Sequence, residues 1–192
     1  IEECNVGGEF MKSEHQDRIR SIGSEEISLN GSLKPFLSKD EIDNLNIPKG
    51  TLLPEEREII NDHIVITIEM LEQLPYPNNL KNIPEFAGGH HEKMDGTGYP
   101  KGLNESQMST QAKIMAIADI YEALTAADRP YKEGKKLSQA MRIMGFMKND
   151  YHIDEELFEI FVTSGVYKQY AEKHVDSNQI DDVDEKFVTG KK

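Results

Sequence analysis

Apolar residues recur at intervals of three and four positions along most of this chain, the spacing that places side chains on one face of an α-helix. No run alternates apolar and polar residues as a half-buried strand does, and no internal repeat or linker divides the sequence. The sequence therefore predicts an all-α protein. We expect helices at Ser13–Ile22, after Ser38, from Pro54 to about Leu71, from about Pro84, at Gln111–Ala126, at Ser138–Met147 and at Glu155–Val162.

Local residues mark the starts of several of these helices. Ser13 with Gln16, and Ser38 with Glu41, have the spacing of a capping box, in which each side chain accepts a backbone N–H at the helix start. Pro54 suits a first helical turn, and the acids that follow it suit the positive end of the helix dipole. The segment Gln111–Ala126 is apolar almost all round, which predicts a buried central helix.

Composition limits the class of protein. A length of 192 residues fits one domain with a substantial core. The single cysteine, Cys4, excludes a disulfide framework and suits a reducing cytoplasm. A formal net charge of −13 argues against binding to DNA or RNA polymers. Since no run of about 18 apolar residues occurs, we expect no membrane contact by this segment, although it could be the soluble end of a membrane-anchored sensor.

The most informative motif is His90-His91-Glu92, followed after two residues by Asp95-Gly96-Thr97-Gly98-Tyr99-Pro100. Imidazole and carboxylate groups are ligands for divalent first-row metals. The alternative is a polar surface loop that happens to contain paired histidines. Side chains at adjacent helical positions diverge by about 100°, so His90 and His91 are expected to serve two metals, or one metal and one phosphate.

This stretch resembles the signature of the HD-GYP family of metal-dependent phosphohydrolases, HHE-x-x-DG-x-GYP, and every fixed position is present. A second similar stretch runs from Ile117 to Thr125 and continues with Asp128-Arg129-Pro130-Tyr131-Lys132. The resemblance extends from about Pro54 to about Phe161. It implies an HD-superfamily helical bundle with the GYP motif on a loop between helices.

One part of the family pattern is absent from these residues. The opening His-Asp dyad, followed by Gly-Lys, does not occur, and the nearest pair is Asp62-His63 in reversed order. The chain begins at Ile1 without an initiator Met, so we expect the dyad to lie upstream. We accordingly predict a connecting segment with short helices at 1–50, the C-terminal portion of the HD-GYP core at 51–175, and a polar tail at 176–192 that frays.

The resemblance implies that His63, His90, His91 and Asp119 are metal ligands, and that His90, His91 and Asp119 are catalytic. On its own, His63 on an apolar helix face would more often be a core or boundary residue. Asp119 lies within an apolar helix, where a lone carboxylate costs several kcal/mol, so a metal is its simplest partner. Two or three divalent ions are expected, with iron or manganese favoured; zinc, cobalt and nickel suit the same ligands.

Glu92 and Asp95 are expected to support the metal ligands from outside. Glu92 could bind a metal directly or orient an imidazole, whereas Asp95 before a glycine is typical of a residue that shapes a turn. Gly98, Tyr99 and Pro100 would form a tight loop that contacts a nucleotide base or a partner protein.

Arg129 and Lys132 are two basic residues in an otherwise acidic chain. By spacing alone they could be a solvated helix end or a clamp for phosphate, since arginine offers a bidentate fork. The resemblance favours phosphate. His15, His152 and His174 lie in polar contexts and carry no predicted role.

The resemblance implies hydrolysis of a cyclic dinucleotide, cyclic di-GMP to linear pGpG or GMP, within a larger signalling protein. The segment alone is expected to be inactive, because half of the ligand set is missing. The alternative is a non-catalytic regulatory module whose GYP loop binds a partner such as a diguanylate cyclase domain. The resemblance is also compatible with a homodimer.

Overall fold

The computed structural model describes residues 8–29, 31–127 and 134–190, and the chain divides into two compact units, residues 1–63 and 64–192. The boundary falls inside one helix, directly after its first residue, His63. The prediction of an all-α fold is confirmed, with two short strand pairs added. The helices of the first unit are α1 (Ser13–Gly23), α2 (Lys39–Leu45) and α3 (Pro54–Asn61), and those that follow are α4 (His63–Glu72), α5 (Ile83–Gly88), α6 (Thr110–Thr125), α7 (Leu137–Asn149), α8 (Glu155–Thr163), α9 (Val166–His174) and α10 (Glu185–Thr189).

The first unit holds four short strands that we did not predict. β1 (Gly8–Phe10) pairs with β4 (Lys49–Gly50), and β2 (Glu26–Leu29) pairs with β3 (Ser32–Pro35), both antiparallel. An Asn30-Gly31 dipeptide connects β2 and β3, and Gly31 has a φ of +80°. Asn-Gly between short strands is a strong hairpin signal because glycine tolerates positive φ. The expectation that no run alternates was wrong here, because Glu26-Ile27-Ser28-Leu29 alternates polar and apolar residues before the Asn-Gly pair.

Of the two predicted capping boxes, one is confirmed. The Ser38 hydroxyl accepts the Glu41 backbone N–H at 3.2 Å, and the Glu41 carboxylate accepts the Ser38 backbone N–H at 2.7 Å. At α1 the prediction was wrong, because Ser13 is already helical and the preceding Lys12 occupies the cap without a side-chain bond. The α3 start is held by the Glu56 carboxylate, which accepts the Leu53 N–H at 2.8 Å.

The predicted helix from Pro54 to Leu71 is interrupted. α3 ends at Asn61 and α4 begins at His63, so the expected apolar stripe belongs mainly to α4. Ile64 is fully buried, Ile68 and Leu71 are half-buried, and Ile60 is 50% exposed. The break therefore places His63 in the first turn of a new helix rather than in the middle of a long one.

Two glycines at the end of α5 let it pack closely on both of its neighbours. A Cβ on Gly88 would lie 2.5 Å from the Ile68 side chain on α4, and a Cβ on Gly89 would lie 2.8 Å from that of Ala112 on α6. At Gly89 the added atom would meet the Ala112 Cβ, which cannot rotate away, whereas at Gly88 it would meet the end of the Ile68 side chain, which would have to move. The C-terminal end of α5 therefore lies close to both α4 and α6, and His90 follows Gly89 directly.

The main core lies among the helices from α6 to α10. It is built from fully or nearly fully buried side chains, which are Ile117, Tyr121, Leu137, Met141, Met144, Ile153, Phe158, Val162, Tyr167, Ala171 and Val188. The Tyr121 hydroxyl donates to the Tyr167 carbonyl at 2.9 Å, and burial raises the pKa of Tyr121 above its ordinary value. No helix among the described residues is long and apolar enough to span a membrane.

The expectation that α6 is buried on all sides is wrong. Its core face carries residues such as Ala116 and Ile117, whereas Ile114 is 50% exposed, Met115 is 41% exposed, and Asp119 is also exposed. Apolar composition shows that a helix can be buried, but burial depends on which elements pack against it. In the described part of the chain, one face of α6 is left to solvent.

Residues 176–190, which we expected to fray with the rest of the polar tail, are packed against the helices. Val188 and Thr189 are buried, and the Lys148 ammonium donates to the Thr189 carbonyl at 3.2 Å. The Asp181 carboxylate accepts both the backbone N–H and the hydroxyl of Ser138, each at 2.7 Å, at the start of α7. The polar residues that suggested a tail are used to cap helices and to bond buried carbonyls.

The hydrogen bonds of Gln179 allow the packing of the C-terminal segment to be tested. Its buried amide donates to the Thr125 carbonyl at 3.0 Å and to the Lys135 carbonyl at 2.9 Å. Gln179→Ala should lower the free energy of unfolding by about 2 kcal/mol, because two carbonyls lose their donor. Urea denaturation of the full chain measures this, with the exposed Asn178→Ala as the matched control. Equal midpoints for the two variants would contradict the prediction.

Candidate metal centre

Three of the four predicted metal ligands lie together. One ligand atom each from His63, His90 and His91 lies within 4.8 Å of the other two. His63 is the first residue of α4, and the other two follow α5 directly. His63 is exposed and the pair is half-buried, so the cluster opens to solvent on one side. The close packing of α5 against α4 at Gly88 brings these distant positions together.

Two of the imidazoles are oriented by backbone carbonyls of their own turn. The His63 Nδ1 lies 2.5 Å from the Ile60 carbonyl oxygen, and the His90 Nδ1 lies 2.6 Å from that of Ala87. Because a carbonyl only accepts, each Nδ1 carries the hydrogen in a neutral ring. The unprotonated nitrogen is then Nε2, which is the atom that binds a metal when Nδ1–H is held in this way.

The predicted divergence of His90 and His91 is wrong. Their ring centroids lie 4.2 Å apart with an interplanar angle of 43°, and both belong to one cluster. The 100° rule applies inside a helix, but α5 ends at Gly88 and the histidines lie in the turns that follow. Free of helical geometry, adjacent side chains can face the same space.

The GYP loop, residues 98–103, lies against the histidine pair. The Tyr99 ring stacks on that of His91, with centroids 4.8 Å apart and an interplanar angle of 16°, and the Tyr99 N–H donates to the His91 carbonyl at 3.2 Å. A Cβ on Gly98 would lie 2.5 Å from the Glu92 Cα. The Tyr99–Pro100 peptide bond is cis. The prediction that Gly98, Tyr99 and Pro100 contact a substrate stays a prediction; within the chain, Tyr99 contacts His91 and Gly98 lies against the backbone of Glu92.

Glu92 is the most deeply buried acid near the cluster, with 1% of its surface exposed. Its two carboxylate oxygens accept the backbone N–H groups of Lys101 at 2.7 Å and Leu103 at 2.8 Å. The sequence suggested that Glu92 binds a metal or orients an imidazole. These bonds direct the carboxylate at the backbone of the GYP loop and not at a metal.

Asp95 shapes the turn before the loop, as the Asp-Gly pair predicted. One carboxylate oxygen accepts the Thr97 N–H at 2.9 Å and the Thr97 hydroxyl at 2.8 Å. These hydrogen bonds hold the pKa of Asp95 below its ordinary value. We assigned no role to Thr97, although an aspartate in such a turn commonly accepts the backbone N–H of the residue two positions later.

Asp119 is exposed on α6 and is not a member of the histidine cluster. The argument that its burial demands a cation is therefore wrong, because water solvates the carboxylate. Its role as a ligand stays a prediction from the family motif. Arg129 and Lys132, the predicted phosphate clamp, lie outside the described residues.

The three histidines fit a transition metal. Two imidazole nitrogens that share one ion can be at most about 4.2 Å apart, which is twice the metal–nitrogen distance. The limit of 4.8 Å for the three ligand atoms is close to that value, so small side-chain rotations would bring them onto one ion or two adjacent ones. Imidazole nitrogens suit iron, zinc, copper and nickel. No carboxylate of the described residues joins the group.

The glycines before the histidines are functional residues that we overlooked. Gly88 and Gly89 have no chemistry of their own, but they set the distance of α5 from α4 and α6. The signal was the Gly-Gly pair immediately before His-His, at a point where helical spacing stops. Such a pair permits the close helix approach that a cluster from separate helices requires.

Comparison with known proteins agrees with the geometry. The family described as HD domain matches residues 40–157, which is more than half of the chain. The 3′3′-cGAMP-specific phosphodiesterase 1 of Vibrio cholerae is 41% identical over 78 residues, 41% of this chain and 18% of that protein. A cyclic di-GMP phosphodiesterase of Thermotoga maritima is 39% identical over 100 residues, 52% of this chain and 27% of that protein.

A cyclic di-GMP phosphodiesterase of Pseudomonas aeruginosa is 40% identical over 92 residues, which are 47% of this chain and 22% of that protein. The chain thus spans less than a third of the length of each of these relatives.

Proposed function

Because the chain belongs to the HD domain family, we propose that it forms part of a metal-dependent enzyme that hydrolyses the phosphodiester of a cyclic dinucleotide. The observation that carries the proposal is the cluster of His63, His90 and His91. Relatives named as cyclic di-GMP and cGAMP phosphodiesterases support the substrate class. The HD-GYP motifs that suggested the family are confirmed by these matches.

The residues of this chain would hold the metal and form one wall of the site. A bound divalent ion supplies Lewis acidity, which lowers the pKa of a water and neutralises charge on phosphate oxygens. His63 and His90 are held by backbone carbonyls, so their Nε2 atoms are set before the metal arrives. His91 is held against Tyr99, and the open side of the cluster leaves room for an anionic substrate.

The finer assignments extend this proposal. Asp119 would complete the ligand set together with the His-Asp dyad that these residues lack, giving two or three ions of iron or manganese. Arg129 and Lys132 would bind phosphate, so that Arg129→Ala mainly raises KM. Cyclic di-GMP is the substrate we favour. Three neutral imidazoles leave the full charge of a divalent ion unbalanced, which supports the need for acidic ligands and for an anionic substrate.

The second candidate is a regulatory module that binds without catalysis, with a diguanylate cyclase domain as its partner. It is favoured by one observation: the histidine cluster contains no carboxylate among the described residues. Such a module would keep the GYP loop as a contact surface.

One experiment separates the two functions. The intact protein is purified and assayed with cyclic di-GMP and with 3′3′-cGAMP, before and after chelation, and again after iron, manganese or zinc is restored. We expect hydrolysis that is lost on chelation and regained with one of the metals. An intact protein that binds a metal and a cyclic dinucleotide, but hydrolyses neither cyclic di-GMP nor 3′3′-cGAMP, would favour the regulatory module. One that binds no metal at all would refute both the site and the proposed reaction.

A further inference from the structure

We infer that Glu92 is a positioning residue that orients the His91 imidazole through the GYP loop, and not a metal ligand. This inference rests on the proposed function only in taking His91 as a ligand. It assigns to Glu92 a contact that its place in the motif does not reveal, because the carboxylate follows two histidines directly but points at residues nine and eleven positions later.

The first step is the state of the carboxylate. With 1% of Glu92 exposed, an unpaired charge there would be costly. Each oxygen instead accepts a loop N–H, from Lys101 at 2.7 Å and from Leu103 at 2.8 Å. Charge-assisted bonds of this length are stronger than neutral ones. The carboxylate is thereby committed to the loop, and turning it towards a metal would release both bonds in the interior.

The second step joins the loop to the imidazole. Tyr99 lies two residues before Lys101, so the bonds from Glu92 fix the end of the segment that carries the aromatic ring. That ring stacks on His91, and its backbone N–H donates to the His91 carbonyl at 3.2 Å. The loop thus contacts His91 through both the side chain and the backbone.

The three imidazoles are therefore supported in two ways. His63 and His90 each contact the carbonyl three residues earlier, a support that any short turn can provide. For His91, the support described here comes from a loop that is itself held by a buried charge. A change in that charge should therefore move the His91 ring, whose centroid lies 4.2 Å from that of His90.

The test is the NMR signal of the His91 ring in the metal-free full chain, which has only six histidines. A stacked tyrosine displaces imidazole ring protons upfield. Glu92→Gln keeps the shape of the side chain but places an NH₂ group opposite one of the two loop N–H groups. We expect the variant to lose most of the upfield displacement at His91. The matched control is Glu105→Gln, which removes the same charge from an acid of the following segment whose side chain is 63% exposed.

A double-mutant comparison decides whether Glu92 acts through the ring of Tyr99. Tyr99→Leu should abolish the displacement by itself, and adding Glu92→Gln to it should change the His91 signal no further. A folded Glu92→Gln protein with a wild-type His91 signal would overturn the inference. The inference would also be overturned if Glu92→Gln changed the His91 signal as much in the Tyr99→Leu protein as it does in the wild type.

If Glu92→Gln does not fold, Glu92→Asp gives the same test, since a shorter acid keeps the charge but cannot reach both N–H groups. Neither metal nor substrate is needed for the NMR readout, so it succeeds or fails independently of hydrolysis. As a further readout, zinc affinity should fall about ten-fold in Glu92→Gln, as is usual when a ligand loses its support. The Glu105→Gln control should bind zinc like wild type.

Discussion

Gly98→Ala should destabilise the protein by about 3 kcal/mol and separate the GYP loop from the histidine pair. The added Cβ would lie 2.5 Å from the Glu92 Cα, 2.5 Å from the Lys93 nitrogen and 2.6 Å from the His91 carbonyl oxygen. All three are backbone atoms, so no side chain can turn away to relieve the contact. The loop must move as a whole, and the Tyr99 stack on His91 should be lost with it.

Urea denaturation of the metal-free full chain measures the effect, and Gly165→Ala is the matched control. Gly165 has a φ of +70° and nothing within 4 Å of an added Cβ, so its replacement costs only backbone strain of about 1 kcal/mol. Gly98 is not among the positive-φ glycines, so its cost is close contact alone. A Gly98→Ala protein as stable as Gly165→Ala would show that the loop does not lie where we describe it.

His90→Ala should abolish phosphodiester hydrolysis in the intact protein, with a loss of more than about 100-fold in kcat/KM and a fall in bound metal. The substitution removes one of three clustered imidazoles and the Nδ1 contact with the Ala87 carbonyl. His15→Ala, an exposed histidine of α1, is the control and should retain both metal and activity. Wild-type metal content with full activity in His90→Ala would place the reaction elsewhere.

Asp119→Ala tests whether Asp119 is a metal ligand, as the family motif predicts, or a solvent-exposed residue of α6 that binds no metal. If the Asp119 carboxylate is a ligand in the intact protein, Asp119→Ala should lower the bound metal and kcat/KM as much as His90→Ala does. A variant that keeps all its metal and its kcat would instead make Asp119 a solvated residue of the exposed α6 face. Metal analysis and kinetics on the same preparations distinguish the two outcomes.

Local sequence predicted the elements of this fold well. The Ser38 capping box and the start of α3 at Pro54 depend on contacts within one turn, and both occur as expected. The apolar spacing of α4 and the start of α5 near Pro84 also depend only on near neighbours. Such features are readable because all the residues that determine them lie within a few positions of one another.

Features that depend on distant partners could not be predicted in this way. The exposure of Asp119 depends on which elements cover α6, and the bonds of Glu92 depend on how the loop folds back. The meeting of His63 with His90 depends on the distance that Gly88 allows between α4 and α5. The family motif predicted that the histidines are ligands, but it contains no information about what holds each ring in place.

The packed C-terminal segment has a consequence for how this domain can be excised. The family match stops at residue 157, whereas Gln179, Asp181 and Val188 bond or pack against α6 and α7. A fragment cut at the family boundary would uncover the side chains that Val188 now covers and leave the Thr125 and Lys135 carbonyls without their donor. An expression boundary for this domain therefore belongs after Val188 and Thr189, which are buried residues of the described chain.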